Sequence, residues 1–156
     1  MFLQPLGPLR VVWKPSAFQQ PDASRVNICF AADNETSGYF MRVDKKIIRM
    51  LFDDPMKYFG QPLTYEQIRE RYQPAIKVNT EKGYTTLRAK MNLSGPAKVR
   101  CWSPEKTPRE MPLDWSMADV SPRLQIKGLW VMAREFGLLV EMTDALIEER
   151  SVVCPF

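Results

Sequence analysis

The chain has 156 residues and contains no histidine. The commonest general base and the commonest metal ligand are therefore both missing. The three cysteines, Cys29, Cys101 and Cys154, are scattered and do not have the paired spacing of a zinc site. Neither a phosphate-binding glycine loop nor a dinucleotide fingerprint occurs. We therefore expect a protein that is not an enzyme and has no metal and no cofactor.

Glycine is also scarce, with seven glycines against thirteen prolines. Because proline is excluded from helix interiors and central strands, this ratio favours a β-rich fold with stiff loops. The sequence has no apolar run long enough to cross a membrane and no signal-peptide pattern at its start. An odd, scattered set of cysteines fits reduced thiols better than disulfides. We expect an intracellular protein in a reducing compartment, the nucleus or cytoplasm or a viral replication site.

The net charge of +4 is distributed unevenly along the chain. Residues 77–109 contain eight basic and two acidic residues and carry +6, whereas residues 110–156 carry −4. A local basic patch is typical of a protein that binds a polyanion. Charge alone is equally compatible with a soluble hairpin whose lysines protect an edge strand from pairing.

The stretch from Thr85 to Trp102 predicts a β-hairpin within this basic region. Apolar and polar residues alternate on both sides of a Ser94-Gly95-Pro96 turn, as in half-buried strands. The apolar face holds Leu87, Ala89, Met91, Val99 and Cys101. The polar face holds the candidate nucleic-acid-binding residues Arg88, Lys90, Lys98, Arg100 and Trp102. Cations beside an indole suit phosphates and stacked bases, although a one-residue slip at the turn would bury the second cation pair.

Residues 25–31 alternate as a strand, and residues 38–43 are predicted to form its partner strand after a turn at residues 33–38. In this arrangement Phe40 points inward. Tyr39 and Arg42 then lie near the basic hairpin and are further candidate nucleic-acid contacts.

Two short helices are predicted between these strands and the hairpin. The first covers residues 47–52 and ends at Asp53-Asp54-Pro55, because the residue before proline disfavours the helical conformation. The second begins at Thr64, where Thr64 and Gln67 have the spacing of a capping box.

Residues 122–147 predict a second, apolar hairpin with its turn at residues 134–137. Leu124, Ile126, Trp130 and Met132 are expected to face the core, and Gly128 to permit a bend. Trp102 and Trp115, the second and third tryptophans of the chain, flank a charged loop. Each is either a stacking platform or a rim aromatic that covers the core. Trp13 is expected to brace the barrel.

Seven or eight short strands with one or two short helices predict a mainly β fold, a small Greek-key barrel of the OB type. We expect three regions: a proline-rich arm at residues 1–21, an OB-like barrel domain at residues 22–147 and a short C-terminal tail at residues 148–156.

The order of elements in the second half is a Leu-Arg-Ala-Lys strand, a strand ending in Trp102, a charged loop, the Pro122–Met132 strand and a Phe136-Gly137 turn. This order resembles the single-stranded-DNA-binding proteins of large double-stranded DNA viruses and related virus-like mobile elements, over about residues 85–147. The resemblance implies non-catalytic coating of exposed DNA during replication. It places contacts on Arg88, Lys90, Lys98 and Arg100, with Trp102 and Tyr39 stacking on bases.

The resemblance also draws attention to the terminus, Cys154-Pro155-Phe156. Many replication proteins of this kind end in an acidic tail with Pro-Phe at its tip, which recruits partners. In this chain Glu148-Glu149 is followed at once by Arg150, and residues 151–154 are not acidic, which favours a chance ending or a docked terminus.

These observations lead to one principal hypothesis and two alternatives. The principal hypothesis is sequence-independent binding of single-stranded DNA during replication or recombination of a viral or mobile-element genome. The first alternative is a virion or assembly protein that packs against copies of itself. The second is a binder of single-stranded RNA, because the same grooves and aromatic residues serve both nucleic acids.

Overall fold

The computed structural model describes residues 2–5, 7–16 and 24–150. Residues 17–21 of the predicted arm and the Cys154-Pro155-Phe156 terminus lie outside them. The described residues form ten strands and three α-helices, which confirms the mainly β prediction. In chain order they are β1 (Phe2–Leu3), β2 (Leu9–Arg10), β3 (Arg25–Ala31), α1 (Asn34–Asp53), α2 (Pro55–Phe59), α3 (Tyr65–Arg71), β4 (Tyr72–Gln73), β5 (Ile76–Asn79), β6 (Tyr84–Asn92), β7 (Arg100–Trp102), β8 (Pro108–Arg109), β9 (Ala118–Val131) and β10 (Phe136–Glu149).

Strand β10 is the centre of the sheet, whose main path runs β1-β9-β10-β6-β3. One edge of β10 pairs antiparallel with β9 along almost the whole length of both strands. Its other edge pairs in parallel with three strands in succession, β4, β6 and β7. The predicted apolar hairpin is therefore formed, with its turn closed by a hydrogen bond from Met132 N to Glu135 O, two residues earlier than predicted.

The main path of the sheet is open between β1 and β3, and the N-terminal segment crosses this opening. Strand β2 pairs with β9, and the residues that follow it join β3 through bridges between Val11 and Phe30 and between Ser16 and Asn27. Leu9 and Val11 are buried in the main hydrophobic core. The described part of the predicted arm thus belongs to the sheet.

The stretch predicted as a basic hairpin has the predicted faces but a different pairing. Leu87, Ala89 and Met91 of β6 and Val99 and Cys101 near β7 are buried in the core. Strands β6 and β7, however, pair with successive parts of β10 and not with each other. The loop between them closes on itself instead, through a hydrogen bond from Val99 N to Asn92 O.

Residues 38–43 belong to the 20-residue helix α1, so the predicted strand is wrong. Asp33 caps the helix, because its Oδ1 accepts a hydrogen bond from Thr36 N at 2.7 Å. Phe40 and Leu51 are buried on one side of α1, where the helix covers the core. The sequence showed helical spacing of apolar residues only from Ile47, but the helix begins earlier, at Asn34. The helix ends at Asp53, as the Asp53-Asp54-Pro55 stop predicted.

Helix α3 begins with the predicted capping box. Gln67 N donates to Thr64 Oγ1 at 3.2 Å, and Thr64 N donates to Gln67 Oε1 at 2.9 Å. The strand that follows is tied to α1 by a buried hydrogen bond from the Tyr72 hydroxyl to Asp44 Oδ1 at 2.5 Å. Burial raises the pKa of Asp44, although the hydrogen bond from Tyr72 acts in the opposite direction.

Two register shifts in the β9–β10 ladder decide which side chains face outward. Val140 pairs with Ile126 and Leu139 pairs with Gly128, so Lys127 is an extra residue in β9. A second shift lies between Met142 and Asp144 of β10. Because side chains alternate strictly along a strand, one extra residue moves every later side chain to the opposite face.

Candidate nucleic-acid interface

The face of the sheet opposite the core carries most of the predicted basic residues. Residues paired directly across a ladder share a face, so the register identifies this outer face. Its members are Arg25, Asn27 and Cys29 of β3, Lys77 of β5, Arg88, Lys90 and Asn92 of β6, Arg100 and Trp102 of β7, Arg123, Lys127 and Trp130 of β9, and Gly137, Leu139, Glu141 and Asp144 of β10. Sequence reasoning predicted four of these positions, Arg88, Lys90, Arg100 and Trp102.

A groove of about 660 Å³ lies on this face between β3, β5, β6 and the β9–β10 hairpin. Four cations line it, Arg25, Lys77, Arg88 and Lys90, together with the indole of Trp130. One carboxylate, that of Glu135, is also in the lining. The groove therefore combines an excess of positive charge with an aromatic ring.

Arg88, Lys90 and Lys77 form no ion pair with any described residue. Burial lowers the pKa of Lys90, and repulsion by Arg25 and Arg88 lowers it further. Like charges held together in this way raise the local positive potential, which favours an anionic ligand. Asn27 lines the same groove, and its Oδ1 is buried and has no hydrogen-bond partner among the described residues.

Trp130 lines the groove and does not belong to the core, so its predicted position is wrong. The extra residue Lys127 moves Trp130 to the outer face, opposite Gly137 of β10. A Cβ atom on Gly137 would come within 2.8 Å of Cε2 and Cζ2 of the indole. The ring is thus in close contact with a glycine backbone. Met132 was also predicted to face the core, but it is exposed near the hairpin turn.

Glu141 is a buried carboxylate at the centre of the outer face, with 6% of its surface exposed. It accepts a hydrogen bond from Asn92 Nδ2 at 3.1 Å. Arg25 Nη2 and Lys127 Nζ lie 3.8 and 4.0 Å from its Oε2. Glu141 therefore holds cations from β3 and β9 close to the groove, and these two cations are partly neutralised.

Asp144 organises a second cluster farther along β10. The Nε of Arg100 lies 2.8 Å from its Oδ1, and the indole Nε1 of Trp102 donates to the same oxygen at 3.1 Å. Thr143 Oγ1 donates to Oδ2 at 2.9 Å, and Arg123 Nη1 lies 3.9 Å from that oxygen. Burial would raise the pKa of Asp144, but the hydrogen bonds from Trp102, Thr143 and Arg100 outweigh it and hold that pKa below its usual range.

An aromatic ring extends this second cluster. The guanidinium of Arg123 lies 3.9 Å from the centroid of the Phe2 ring, a cation–π distance. Phe2 is half exposed at the sheet edge, where β1 pairs with β9. The chain therefore places Arg100, Trp102 and Arg123 around one carboxylate, with Phe2 against Arg123.

Three other predicted contacts lie elsewhere. Tyr39 and Arg42 are on α1, which covers the core, and neither lines the groove. Tyr39 packs edge-on against Phe40, with ring centroids 5.4 Å apart. Lys98 is exposed in the loop before β7.

The remaining tryptophans have different environments. Trp115 is buried in the main core, which rules out its reading as a stacking platform. Trp13 is half exposed and lies edge-on to Tyr84, with ring centroids 6.5 Å apart.

None of the helices within residues 2–5, 7–16 and 24–150 is long and apolar enough to cross a membrane. In the same part of the chain, no group of three or more acidic or cysteine side chains could hold a metal ion.

No protein-family model and no curated protein matches the chain. Its structure is similar to that of the single-stranded DNA-binding protein from bacteriophage Enc34 in complex with single-stranded DNA. The TM-score is 0.60 at 12% sequence identity, over 97% of this chain and 88% of that one. It is also similar to gp2.5, a single-stranded DNA binding protein encoded by bacteriophage T7, with a TM-score of 0.59 at 9% identity, over 97% of this chain and 93% of that one.

The similarity extends well beyond residues 85–147, over which the sequence resemblance was noticed. Both comparisons cover 97% of this chain, so they include most of the strands before residue 85 and the three helices. At identities this low, what the comparisons establish is the fold. The chain shares an OB-like, mainly β fold with these two phage proteins.

Proposed function

We propose that this protein binds single-stranded DNA without sequence preference and without catalysis, during replication or recombination of a viral or mobile-element genome. One observation carries the proposal: the outer-face groove holds Lys77, Arg88 and Lys90, none of them paired with a described carboxylate, beside the indole of Trp130.

The chemistry of this groove fits a single strand better than a duplex. Unpaired cations attract phosphates and gain counterion-release entropy when they bind. A partly exposed indole offers a face on which any base stacks, and stacking is available only when the bases are not enclosed in a duplex. Neither attraction of phosphates by cations nor stacking on an indole depends on the identity of the base, which supports sequence-independent binding.

The comparisons support the same ligand. The Enc34 protein was solved in complex with single-stranded DNA, and gp2.5 of T7 is described as a single-stranded DNA binding protein. Their phage origin supports a viral or mobile-element source for this chain. The buried free thiols of Cys29 and Cys101 support a reducing compartment.

The test is a fluorescence titration with oligo-dT across a salt series. Affinity should fall steeply with salt, by a slope of about 0.7 per contacted phosphate for a single strand. The double variant Arg88→Ala, Lys90→Ala should bind more weakly, with a slope smaller by about 1.4 and little change in thermal stability. The matched control is Lys45→Ala, Lys46→Ala, which removes two exposed cations from α1 and should leave the slope unchanged.

Two results would overturn the proposal: a salt-independent affinity, or equal affinity for duplex DNA. A parallel titration with oligo-rU tests the RNA alternative, which requires RNA to bind more tightly than DNA. Light scattering with and without DNA tests the assembly alternative, which requires self-association that does not depend on nucleic acid.

A further inference from the structure

We infer that the interface has two separate contact stations at opposite ends of β10, and that tight binding requires a strand long enough to reach both. This inference rests on the proposed function and specifies the length of its ligand. The first station is the groove with Trp130. The second is the cluster of Arg100, Trp102 and Arg123 around Asp144.

The pairing along β10 sets the distance between the stations. Trp130 lies opposite Gly137, and Trp102 lies opposite Leu146. These two β10 residues are nine positions apart, which corresponds to roughly 30 Å at the usual strand rise. A single strand with the axial rise per nucleotide of a duplex would need about nine nucleotides to cover this distance. A more extended strand would need fewer.

Both indoles lie on the outer face, so one strand can contact both without passing around an edge of the sheet. Trp130 is in close contact with Gly137, and Trp102 is fixed by its hydrogen bond to Asp144. Both rings are partly exposed. Each is therefore oriented before a ligand arrives, which reduces the entropy lost on binding.

Positive charge continues between the two stations. Lys90 pairs in register with Glu141, and Arg25 and Lys127 contact the same carboxylate. Arg25 and Lys90 belong to the groove lining, and all three cations lie along β10 between Trp130 and the Asp144 cluster. A phosphate backbone that extends from Trp130 therefore meets these cations before it reaches Arg100 and Arg123.

The two stations differ in how strongly they attract phosphate. In the groove, Arg88 and Lys90 have no ion-pair partner among the described residues, whereas Arg100 and Arg123 both face Asp144. The groove should therefore bind a short oligonucleotide by itself. The second station should contribute mainly through stacking, and only when the strand is already held by the groove.

The experiment compares dT4 with dT12 on the full chain at low protein concentration. Trp102→Leu, which keeps apolar bulk but removes the aromatic face, should lower affinity for dT12 by about 5- to 150-fold, the loss expected for one stacked base. The same variant should leave affinity for dT4 unchanged. Trp130→Leu should weaken the binding of both oligonucleotides.

Two further variants separate stacking from folding. Trp102→Phe keeps an aromatic face but loses the N–H that binds Asp144, and it should retain most of the affinity for dT12. Tyr65→Ala removes an exposed aromatic ring from α3, on the helical side of the molecule, and should change neither affinity. Circular dichroism of each variant shows whether the fold is intact.

The inference is overturned if the folded Trp102→Leu variant binds dT12 as tightly as the wild type does. It is also overturned if Trp102→Leu weakens dT4 and dT12 by the same factor. Failure of the proposed function gives a different result, because the wild-type protein would then bind neither oligonucleotide in a salt-dependent manner.

Discussion

Trp102 and Asp144, which are 42 residues apart in the sequence, are joined by a hydrogen bond of 3.1 Å from the indole Nε1 to the carboxylate Oδ1. The bond connects β7 to β10 on the outer face. It fixes an aromatic ring of the proposed interface, and its acceptor also holds Arg100.

Replacing Asp144 by asparagine should lower the free energy of unfolding at pH 7, by about 1 kcal/mol or less because Arg100 is largely exposed. The folded-state pKa of Asp144 lies below its usual value. A carboxylate of this kind stabilises the fold above its unfolded-state pKa and loses that contribution as the pH falls through the folded-state pKa. Urea unfolding at pH 7 and near pH 3 should therefore show a difference between wild type and Asp144→Asn that shrinks in acid.

The control for this comparison is Glu148→Gln, which removes an exposed charge from the same strand and should have little effect at either pH. A difference between wild type and Asp144→Asn that grows in acid would contradict the assignment.

Gly137→Ala should destabilise the protein by about 1–3 kcal/mol, since the added methyl group has no room. Its Cβ would lie 2.8 Å from the Trp130 ring and 2.8 Å from the backbone oxygen of Gln73. The indole should move, which changes its fluorescence and weakens oligonucleotide binding. Gly7→Ala is the matched control, because no atom lies within 4 Å of the added Cβ. Unchanged stability of Gly137→Ala in urea denaturation would show that Trp130 does not lie against Gly137.

Lys90→Met should bind single-stranded DNA more weakly while the folded protein becomes no less stable. Burial and repulsion by Arg25 and Arg88 lower the pKa of Lys90, so its charge opposes folding at neutral pH. The stability of the wild type relative to Lys90→Met should consequently rise as the pH increases through the lowered pKa. The salt dependence of oligo-dT binding should decrease by about 0.7. A large loss of stability at pH 7 would mean instead that Lys90 is structural.

Gly38→Ala should stabilise the protein by about 0.5–1 kcal/mol, because Gly38 lies inside helix α1. The nearest atom to the added Cβ is Nη1 of Arg42, at 3.4 Å and at the end of a flexible side chain. Thermal unfolding followed by circular dichroism measures the change. Destabilisation would indicate that residues 38–43 are not helical.

The helix boundaries illustrate what local sequence can predict. The Thr64–Gln67 capping box and the stop at Asp53-Asp54-Pro55 were predicted because their interactions lie within one turn. Residues 38–43 were misassigned because Tyr39, Phe40 and Val43 suit a strand as well as a helix. The burial of Phe40 against the sheet, a tertiary contact, favours the helix.

Strand faces were predictable only where the register is unbroken. Alternation within β6 and β7 correctly placed Arg88, Lys90 and Arg100 outward and Leu87, Met91 and Cys101 inward. The same rule failed for Trp130, because one extra residue at Lys127 reverses every later side chain. Gly128, with its positive φ of 143°, was the only local sign of this irregularity.

The sequence alone determined a mainly β chain with a local basic region, an apolar C-terminal hairpin and no histidine chemistry, because composition and short-range periodicity suffice for these features. Only the tertiary structure decided that β6 and β7 both pair with β10, that Trp130 faces the groove, and that Glu141 and Asp144 hold cations from other strands. These features depend on contacts between residues far apart in the chain. Such contacts are set by the packing of one shared core, which no local pattern encodes.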